Sequence, residues 1–162
     1  MNIDDLLANN QEYAGPGPIP AVPGRGLAVV TCMDARIDVF AMLGLKLGDA
    51  HVIRNAGGVA TDDAIRSLAI SQRLLDTRIV VIVQHTECGL LKVDDEQFRA
   101  ALRAEVGHAP PWSTEAFADL NDSVRLSLER VRTDPFLLAE EVRGFVLDVA
   151  TGRLREVGRE GG

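Results

Sequence analysis

The middle of the chain contains one continuous apolar run, Arg78-Ile79-Val80-Val81-Ile82-Val83-Gln84-His85. Its residues are mostly β-branched and do not alternate with polar ones, which is typical of a parallel strand covered on both faces. Parallel strands are joined by long crossover connections, and these are usually helices. The run therefore predicts an α/β fold in which residues 78–85 form a central strand.

Shorter segments on both sides of this run predict the rest of the sheet. Residues 27–32 and 50–54 are candidates for two further strands. Residues 145–149 and 153–157 flank the turn Ala150-Thr151-Gly152 and predict a β-hairpin. We therefore expect an α/β architecture: a mostly parallel central β-sheet flanked by helices, with an N-terminal extended arm and a C-terminal β-hairpin.

Hydrophobic periodicity and capping residues predict helices between these strands. The predicted helices cover residues 3–13, 38–43, 61–75 and 94–106; a fifth begins at Ser113 or Thr114 and ends near Arg132, and a sixth begins at Thr133-Asp134-Pro135. The helix after Thr61 has a broad apolar face that covers more than half of its surface. Ile70 and Leu74 widen this face. We expect it to be buried or to pack against a partner.

The N-terminal residues 1–26 combine a short helix with an extended arm. Residues 15–24 hold four of the seven prolines, and proline fixes φ and donates no backbone hydrogen bond. An arm with so little internal packing suggests contact with a neighbouring subunit. The length of 162 residues otherwise indicates a single domain, 1–162, with enough chain for a hydrophobic core.

Composition excludes several classes of function. The formal net charge of −7 disfavours a nucleic-acid partner, which needs a basic face, and it disfavours an anionic membrane surface. No stretch approaches the ~20 apolar residues that span a bilayer. The N-terminus is acidic where a signal peptide would be basic, so we expect a cytoplasmic protein. Two cysteines in a reducing compartment indicate metal binding or catalysis rather than a disulfide.

Two polar motifs follow predicted strands and contain both cysteines. The first is Cys32-Met33-Asp34-Ala35-Arg36, after residues 27–32, and the second is His85-Thr86-Glu87-Cys88-Gly89, after residues 78–85. Functional residues of open parallel sheets gather beyond the carboxyl ends of the strands, so these motifs can meet. Two thiolates, an imidazole and a carboxylate are ligands that four-coordinate zinc accepts. The motifs predict a zinc enzyme or a zinc-stabilised domain.

Each residue also has a simpler interpretation. A lone buried cysteine is usually a small apolar side chain, and Asp34 with Arg36 could be a structural ion pair. Cys32 and Cys88 could instead form a thiol–disulfide switch. A structural zinc site would keep Asp34 permanently on the metal with the other three side chains. A cysteine-phosphatase loop is excluded, because Arg36 lies four positions after Cys32 rather than six.

Three blocks of the sequence resemble those of the β-class carbonic anhydrases, particularly the short prokaryotic ones. They are Cys32-Met33-Asp34-Ala35-Arg36, Arg54-Asn55-Ala56-Gly57-Gly58 and His85-Thr86-Glu87-Cys88-Gly89, in the family's order. The resemblance implies a carbonate dehydratase, a zinc lyase in which zinc-bound hydroxide reversibly hydrates CO₂ to bicarbonate and a proton. It also implies a homodimer or a homotetramer. Some family members hydrolyse CS₂ or COS instead, so that alternative stays open.

The resemblance also implies roles for individual residues. Cys32, His85 and Cys88 match the zinc ligands, Asp34 and Arg36 match the catalytic dyad, and Gly57 and Gly58 match a loop near the substrate. Asp34 can either bind zinc and close the site or pair with Arg36 and leave the position to water. His51 and His108 are candidates by type for accepting the proton. Glu87 is expected to face away from the site.

Overall fold

A computed structural model describes residues Asn2 to Gly158, which form a five-stranded sheet with helices on both faces. The strands are β1 (Leu27–Cys32), β2 (Ala50–Asn55), β3 (Ile79–His85), β4 (Glu141–Leu147) and β5 (Leu154–Val157). The helices are α1 (Ile3–Gln11), α2 (Val39–Leu43), α3 (Asp62–Leu75), α4 (Asp95–Val106) and α5 (Leu120–Thr133). Two single 3₁₀ turns, Ala56–Gly58 and Gly89–Lys92, follow β2 and β3 closely.

The strand order in the sheet is β2-β1-β3-β4-β5. The first four strands run parallel, and β5 returns antiparallel to β4. The apolar run identified in the sequence is the central strand, with Val80, Ile82 and Val83 completely buried. The predicted fold class, a mostly parallel sheet with a terminal hairpin, is confirmed.

Two hydrophobic layers cover the sheet, one on each face. On one face, Val80 and Ile82 of β3 pack with Leu68 of α3 and with Val124 and Leu128 of α5. Burying a leucine of this kind stabilises the fold by about 1.5–3 kcal/mol relative to its exposure. The second layer contains Val29, Val83 and Ile37 together with both cysteines. The sulfur atoms of the two motifs therefore share one apolar face of the sheet.

Capping side chains set most of the helix starts where the sequence predicted them. Thr61 accepts a hydrogen bond from the Ala64 amide at the start of α3, and Asp62 and Asp63 lie in the positive first turn. Asp38 and Asp94 cap α2 and α4 in the same way. These side chains compensate for backbone N–H groups that have no partner within the helix.

The start predicted for the helix after residue 113 is wrong. The Ser113 hydroxyl is engaged with Glu115, and Thr114 donates from both its amide and its hydroxyl to Asp95, nineteen positions earlier. Neither side chain caps a helix, and residues 113–119 are irregular. The helix, α5, begins at Leu120, where the Asp119 carboxylate accepts a hydrogen bond from the Asp122 amide.

The prediction of a further helix that begins at Thr133-Asp134-Pro135 is also wrong. Helix α5 ends at Thr133, and the Asp134 carboxylate accepts a hydrogen bond from the Phe136 amide in a turn. The chain then enters β4 at Glu141, four residues before the predicted start of the hairpin. The added residues 141–143 pair with β3 alone, whereas residues 144–147 pair with β3 on one side and β5 on the other.

The N-terminal helix and the face of α3 expose apolar side chains. Reciprocal hydrogen bonds between Asn2 and Asp5 cap the N-terminus of helix α1, but none of the helix residues is buried. On α3, Leu74 is 75% exposed and Ile70 is 42% exposed. The expected contact of these surfaces with another subunit stays a prediction. None of the helices within residues 2–158 is long and apolar enough to cross a bilayer.

Candidate metal centre

The two motifs meet at the carboxyl edge of the sheet. Cys32 is the last residue of β1, His85 is the last residue of β3, and these strands are neighbours with Thr31 in register with Val83. One ligand atom from each of Cys32, His85 and Cys88 lies within 4.8 Å of the other two, and all three side chains are buried. Both thiols are free, so the sulfurs are not bonded to each other. The predicted meeting of these three residues is confirmed.

The His85 ring is oriented to offer one nitrogen to a metal. Its Nδ1 lies 2.8 Å from the Thr86 carbonyl oxygen, to which a protonated Nδ1 donates. The opposite nitrogen, Nε2, is fully buried and has no hydrogen-bond partner of normal geometry among residues 2–158. A buried unpartnered nitrogen is costly unless something binds its lone pair. The side chains therefore fit a tetrahedral ion with bonds of about 2.3 Å to sulfur and about 2.0 Å to nitrogen.

The two cysteines have different electrostatic surroundings. Burial opposes ionisation of Cys32, but the His85 imidazole and the backbone N–H groups of Asp34 and Gly57 outweigh it and lower the pKa to about 7. Burial dominates at Cys88 and raises the pKa of that thiol. Cys32 is thus the more readily ionised of the two sulfurs. A thiolate is the form in which cysteine binds metal, so the site favours a cation that can ionise both.

Asp34 lies beside the three ligands and is paired with Arg36. Arg36 donates from Nε to Oδ1 at 2.9 Å and from Nη2 to Oδ2 at 2.8 Å, a two-point guanidinium–carboxylate pair. Hydrogen bonds from Arg36 hold the pKa of Asp34 well below its usual range. The Asp34 Oδ2 atom is 3.8 Å from His85 Nε2. The structure shows Asp34 paired with Arg36, while the occupant of the fourth position on a bound metal, Asp34 or water, stays a prediction.

Glu87 does not face away from the site, in contrast to the sequence interpretation. Its Oε2 atom accepts a hydrogen bond from Arg36 Nη1 at 3.0 Å. The two residues lie 51 positions apart, so no local spacing could reveal the contact. The guanidinium of Arg36 consequently lies between two carboxylates, Asp34 and Glu87.

Arg54 is a residue of the site that the sequence reasoning did not single out for a role. Its guanidinium donates to three backbone carbonyl groups, those of Cys32, Asp34 and Ile37, at 3.0, 2.7 and 3.2 Å. These bonds fix the turn that follows Cys32, because each binds a different point of that turn. The sequence signal for Arg54 was the position of an arginine directly after the apolar segment of β2. This position did not predict which groups the arginine would bind.

Gly57 and Gly58 are buried, and Gly58 lies against the backbone of Cys32. The Gly57 backbone N–H contributes to lowering the pKa of Cys32, and a Cβ atom at Gly58 would lie 2.7 Å from the Cys32 nitrogen. Asn55 closes the loop around them, since its side chain donates to and accepts from the Val59 backbone. The structure therefore brings this loop to the site, while its predicted contact with substrate stays a prediction.

The two candidate proton acceptors are placed differently from the ligands. His51 is level with Ala28 at the beginning of β1, which is the opposite end of the strand from Cys32. Its Nδ1 atom lies 2.7 Å from the Ser71 hydroxyl, away from the ligand cluster. His108 is exposed just after the Gly107 that ends α4. The structure thus does not bring His51 to the site.

Comparison with known protein families gives a match over most of the chain. The pattern of the carbonic anhydrase family matches residues 27–154. The "Beta-carbonic anhydrase 1" of Mycobacterium tuberculosis is 54% identical over 157 residues, covering 95% of this chain and 96% of the relative. A "Carbon disulfide hydrolase" of Acidithiobacillus thiooxidans is 32% identical over 153 residues, covering 81% of this chain and 76% of the relative.

A solved structure has the same architecture. The carbonic anhydrase from Streptococcus mutans superposes with a TM-score of 0.88 at 37% identity. The superposition covers 96% of this chain and 97% of the other. The likeness therefore extends from the ligand-bearing strands through the N-terminal helix and the C-terminal hairpin.

Proposed function

The chain belongs to the β-class carbonic anhydrase family, and from this premise we propose that it reversibly hydrates CO₂ to bicarbonate and a proton, with Zn²⁺ bound by Cys32, His85 and Cys88. The observation that carries the proposal is the buried group of two sulfurs and one imidazole nitrogen without a partner among residues 2–158. Two thiolates and an imidazole favour zinc over the harder cations, which prefer oxygen ligands.

Zinc bound at this site supplies Lewis acidity that lowers the pKa of water from ~15.7 toward ~7. The protein's own residues hold and orient the reactants. Thr86 fixes the tautomer of His85 through its carbonyl oxygen, so that Nε2 is the nitrogen presented to the metal. The ionised Asp34 carboxylate accepts a hydrogen bond from the O–H group of the nucleophile. This bond directs the lone pair of the nucleophile's oxygen toward CO₂. Arg36 keeps Asp34 in that position by its two-point contact.

Substitution of Arg36 by alanine tests this role. Without the guanidinium, Asp34 loses the contacts that hold it beside the ligands and becomes free to fill the fourth position on the metal. We expect CO₂ hydration to fall by about 10- to 100-fold, as misplaced positioning groups commonly cause, with an unchanged zinc content. X-ray absorption should detect a carboxylate oxygen in place of water at the metal, with four ligands in both proteins. Full activity in Arg36→Ala with normal zinc content would contradict the role.

A matched control is Arg66→Ala, which removes another exposed arginine that pairs with an aspartate. Arg66 donates to Asp63 on the surface of α3. We expect this variant to retain wild-type hydration activity, because exposed pairs of this kind contribute little.

The hydration rate should rise with pH between 6.5 and 9. Arg36 holds the pKa of Asp34 well below this range, so the Asp34 carboxylate is ionised throughout and does not itself change. The attacking water must lose a proton to become a nucleophile, and that loss is favoured as pH rises. Stopped-flow hydration measured across this range tests the sign, and a flat profile would contradict the proposal that the attacking water must lose a proton in this range.

Metal analysis combined with a CO₂ hydration assay on the purified chain tests the function as a whole. We expect one zinc per chain and hydration activity that a chelator removes. CS₂ and COS should be assayed in parallel, because a carbon disulfide hydrolase is among the relatives. Hydrolysis of CS₂ or COS without CO₂ hydration would assign the chain to that second reaction. Bound zinc without activity at any pH would indicate a structural zinc site, and metal-free protein with titrating thiols would favour a redox switch.

We also propose that the chain is a homodimer or a homotetramer. The exposed apolar side chains of α1 support this, because a helix with no buried residue gains little stability alone. Ile3, Leu6 and Leu7 are all more than half exposed. Sedimentation velocity should give a multiple of the 17.5 kDa chain mass, and a monomer at micromolar concentration would contradict the proposal.

A cytoplasmic location completes the proposal. The two ligand cysteines are free, and a reducing compartment keeps thiols available for metal binding. Fractionation of the source cells, followed by detection of the chain, tests the location.

A further inference from the structure

We propose that Glu87 is a positioning residue that holds Arg36 in the orientation in which it binds Asp34. The inference deepens the proposed function, because it rests on the roles of Asp34 and Arg36 in CO₂ hydration. Glu87 would act through Arg36 and would contact neither the metal nor the substrate. No position in the sequence pattern pointed to this role.

The contacts of the Arg36 guanidinium are divided between two loops. Nε and Nη2 donate to Asp34, and Nη1 donates to Glu87 Oε2 at 3.0 Å. The Nη2 group also lies 3.4 Å from the Glu87 carbonyl oxygen. Arg36 therefore joins the loop after Cys32 to the loop that holds Cys88. All three nitrogens of the guanidinium are used, and each is directed to an oxygen.

The second anchor matters because Arg36 is exposed. Its side chain is 47% exposed, so a pair with Asp34 alone would be screened by water and would leave the long side chain mobile. A bond to Glu87 restrains the guanidinium from the side opposite Asp34. Less conformational freedom is then lost when the Asp34 contact forms, which favours that contact.

The backbone conformation of Glu87 is unusual for a non-glycine residue. Glu87 has a φ of +57°, in the left-handed region that non-glycine residues seldom adopt. The residue lies between the ligands His85 and Cys88, where the chain must turn sharply. Glu87 therefore combines a strained backbone conformation, of the kind often found at functional sites, with an ion pair to Arg36.

The exposure of Glu87 separates a positioning role from a structural one. The side chain is 71% exposed, so its truncation leaves no cavity in the protein. We expect Glu87→Ala to retain the wild-type melting temperature to within about 2 °C, as is usual for surface substitutions, and to retain its zinc content. Glu115→Ala is a matched control, because Glu115 is also exposed and has a φ of +56°.

Kinetics of CO₂ hydration provide the first readout. We expect Glu87→Ala to lower kcat by about 3- to 5-fold, the range that an exposed ion pair can support, with KM unchanged. Glu87→Gln should recover most of kcat, because its amide oxygen still accepts the hydrogen bond from Arg36. Glu115→Ala should match the wild type. Equal kcat in Glu87→Ala and wild type would overturn the inference, and so would equal losses in the alanine and glutamine variants.

The protein as purified provides a second readout, which does not depend on activity. The Arg36 Nε–H resonance can be assigned by its loss in Arg36→Lys, and its exchange with solvent can be followed by NMR. We expect exchange to be at least threefold faster in Glu87→Ala than in wild type or Glu87→Gln. Unchanged exchange would overturn the inference. A wild-type chain without hydration activity would instead overturn the proposed function, while the exchange rates would still decide whether Glu87 holds Arg36.

Discussion

Replacing Cys88 by serine is expected to abolish both metal binding and CO₂ hydration. Cys88 is buried within 4.8 Å of the ligand atoms of Cys32 and His85, so it would supply one of three protein ligands. Serine has nearly the same shape, but its hydroxyl does not ionise as a thiol does at neutral pH. The variant tests the sulfur atom itself.

The expected size of this effect follows from a comparison with weaker perturbations. Loss of a group that only orients a ligand costs ~10–100-fold in metal affinity or activity. Loss of the ligand Cys88 should exceed that, so we expect more than a 100-fold loss of zinc affinity and no measurable hydration above background. Zinc per chain after dialysis against a chelator, together with stopped-flow hydration, measures both quantities.

Met33→Ser is the matched control for Cys88→Ser. It also replaces a sulfur-containing side chain by serine, directly beside Cys32, but Met33 is 66% exposed and outside the ligand group. We expect normal zinc content and activity in this variant. Zinc retained at wild-type affinity in Cys88→Ser would refute the proposed ligand set.

Gly58→Ala should be the most destabilising small substitution near the site. A Cβ atom there would lie 2.7 Å from the Cys32 nitrogen, 2.9 Å from the Thr31 carbonyl carbon and 3.0 Å from the Val83 oxygen. These are backbone atoms of the central strands β1 and β3, which cannot move aside individually. Gly58 also has a φ of +66°, which costs alanine about 1–2 kcal/mol.

The clash and the backbone strain add in this variant. Overpacking costs about 1–3 kcal/mol, so with the strain of about 1–2 kcal/mol we expect a loss of about 2–5 kcal/mol in the free energy of unfolding. Because any shift of β1 would displace Cys32, zinc affinity should fall as well. Urea denaturation and metal analysis measure the two effects.

Gly44→Ala separates the two contributions in Gly58→Ala. Gly44 has a φ of +63°, but a Cβ atom there would meet no group of residues 2–158 within 4 Å, so the cost of alanine is that of the backbone conformation alone. We expect a loss of about 1–2 kcal/mol and an unchanged zinc affinity. Equal stability losses at Gly44 and Gly58 would show that the close approach to β1 contributes nothing.

The likeness to a carbon disulfide hydrolase is compatible with the proposed set of metal ligands. Both reactions concern a linear molecule with an electrophilic carbon, and both are compatible with the same group of Cys32, His85 and Cys88. Selectivity for CO₂ or CS₂ therefore depends on the side chains that surround the substrate position. Parallel assays with CO₂ and CS₂ decide it more directly than further inspection of the ligands.

Local sequence determined the strands and pointed to the three residues that the structure groups together. Residues 78–85 predict a central strand because a β-branched run without polar alternation can be satisfied only with both faces buried. Cys32, His85 and Cys88 were recognisable because each follows or ends such a strand, and parallel strands direct their carboxyl ends to one edge. Each of these signals lies within a few residues of the strand that it ends or follows.

Only the tertiary structure decided which distant side chains meet. Thr114 binds Asp95 instead of capping a helix, Arg54 binds the turn after Cys32, and Glu87 binds Arg36. Each of these contacts joins residues far apart in sequence, whose separation depends on how the whole chain packs. A hydroxyl or a guanidinium can bind any nearby acceptor, and its type alone does not say which acceptor folding brings near.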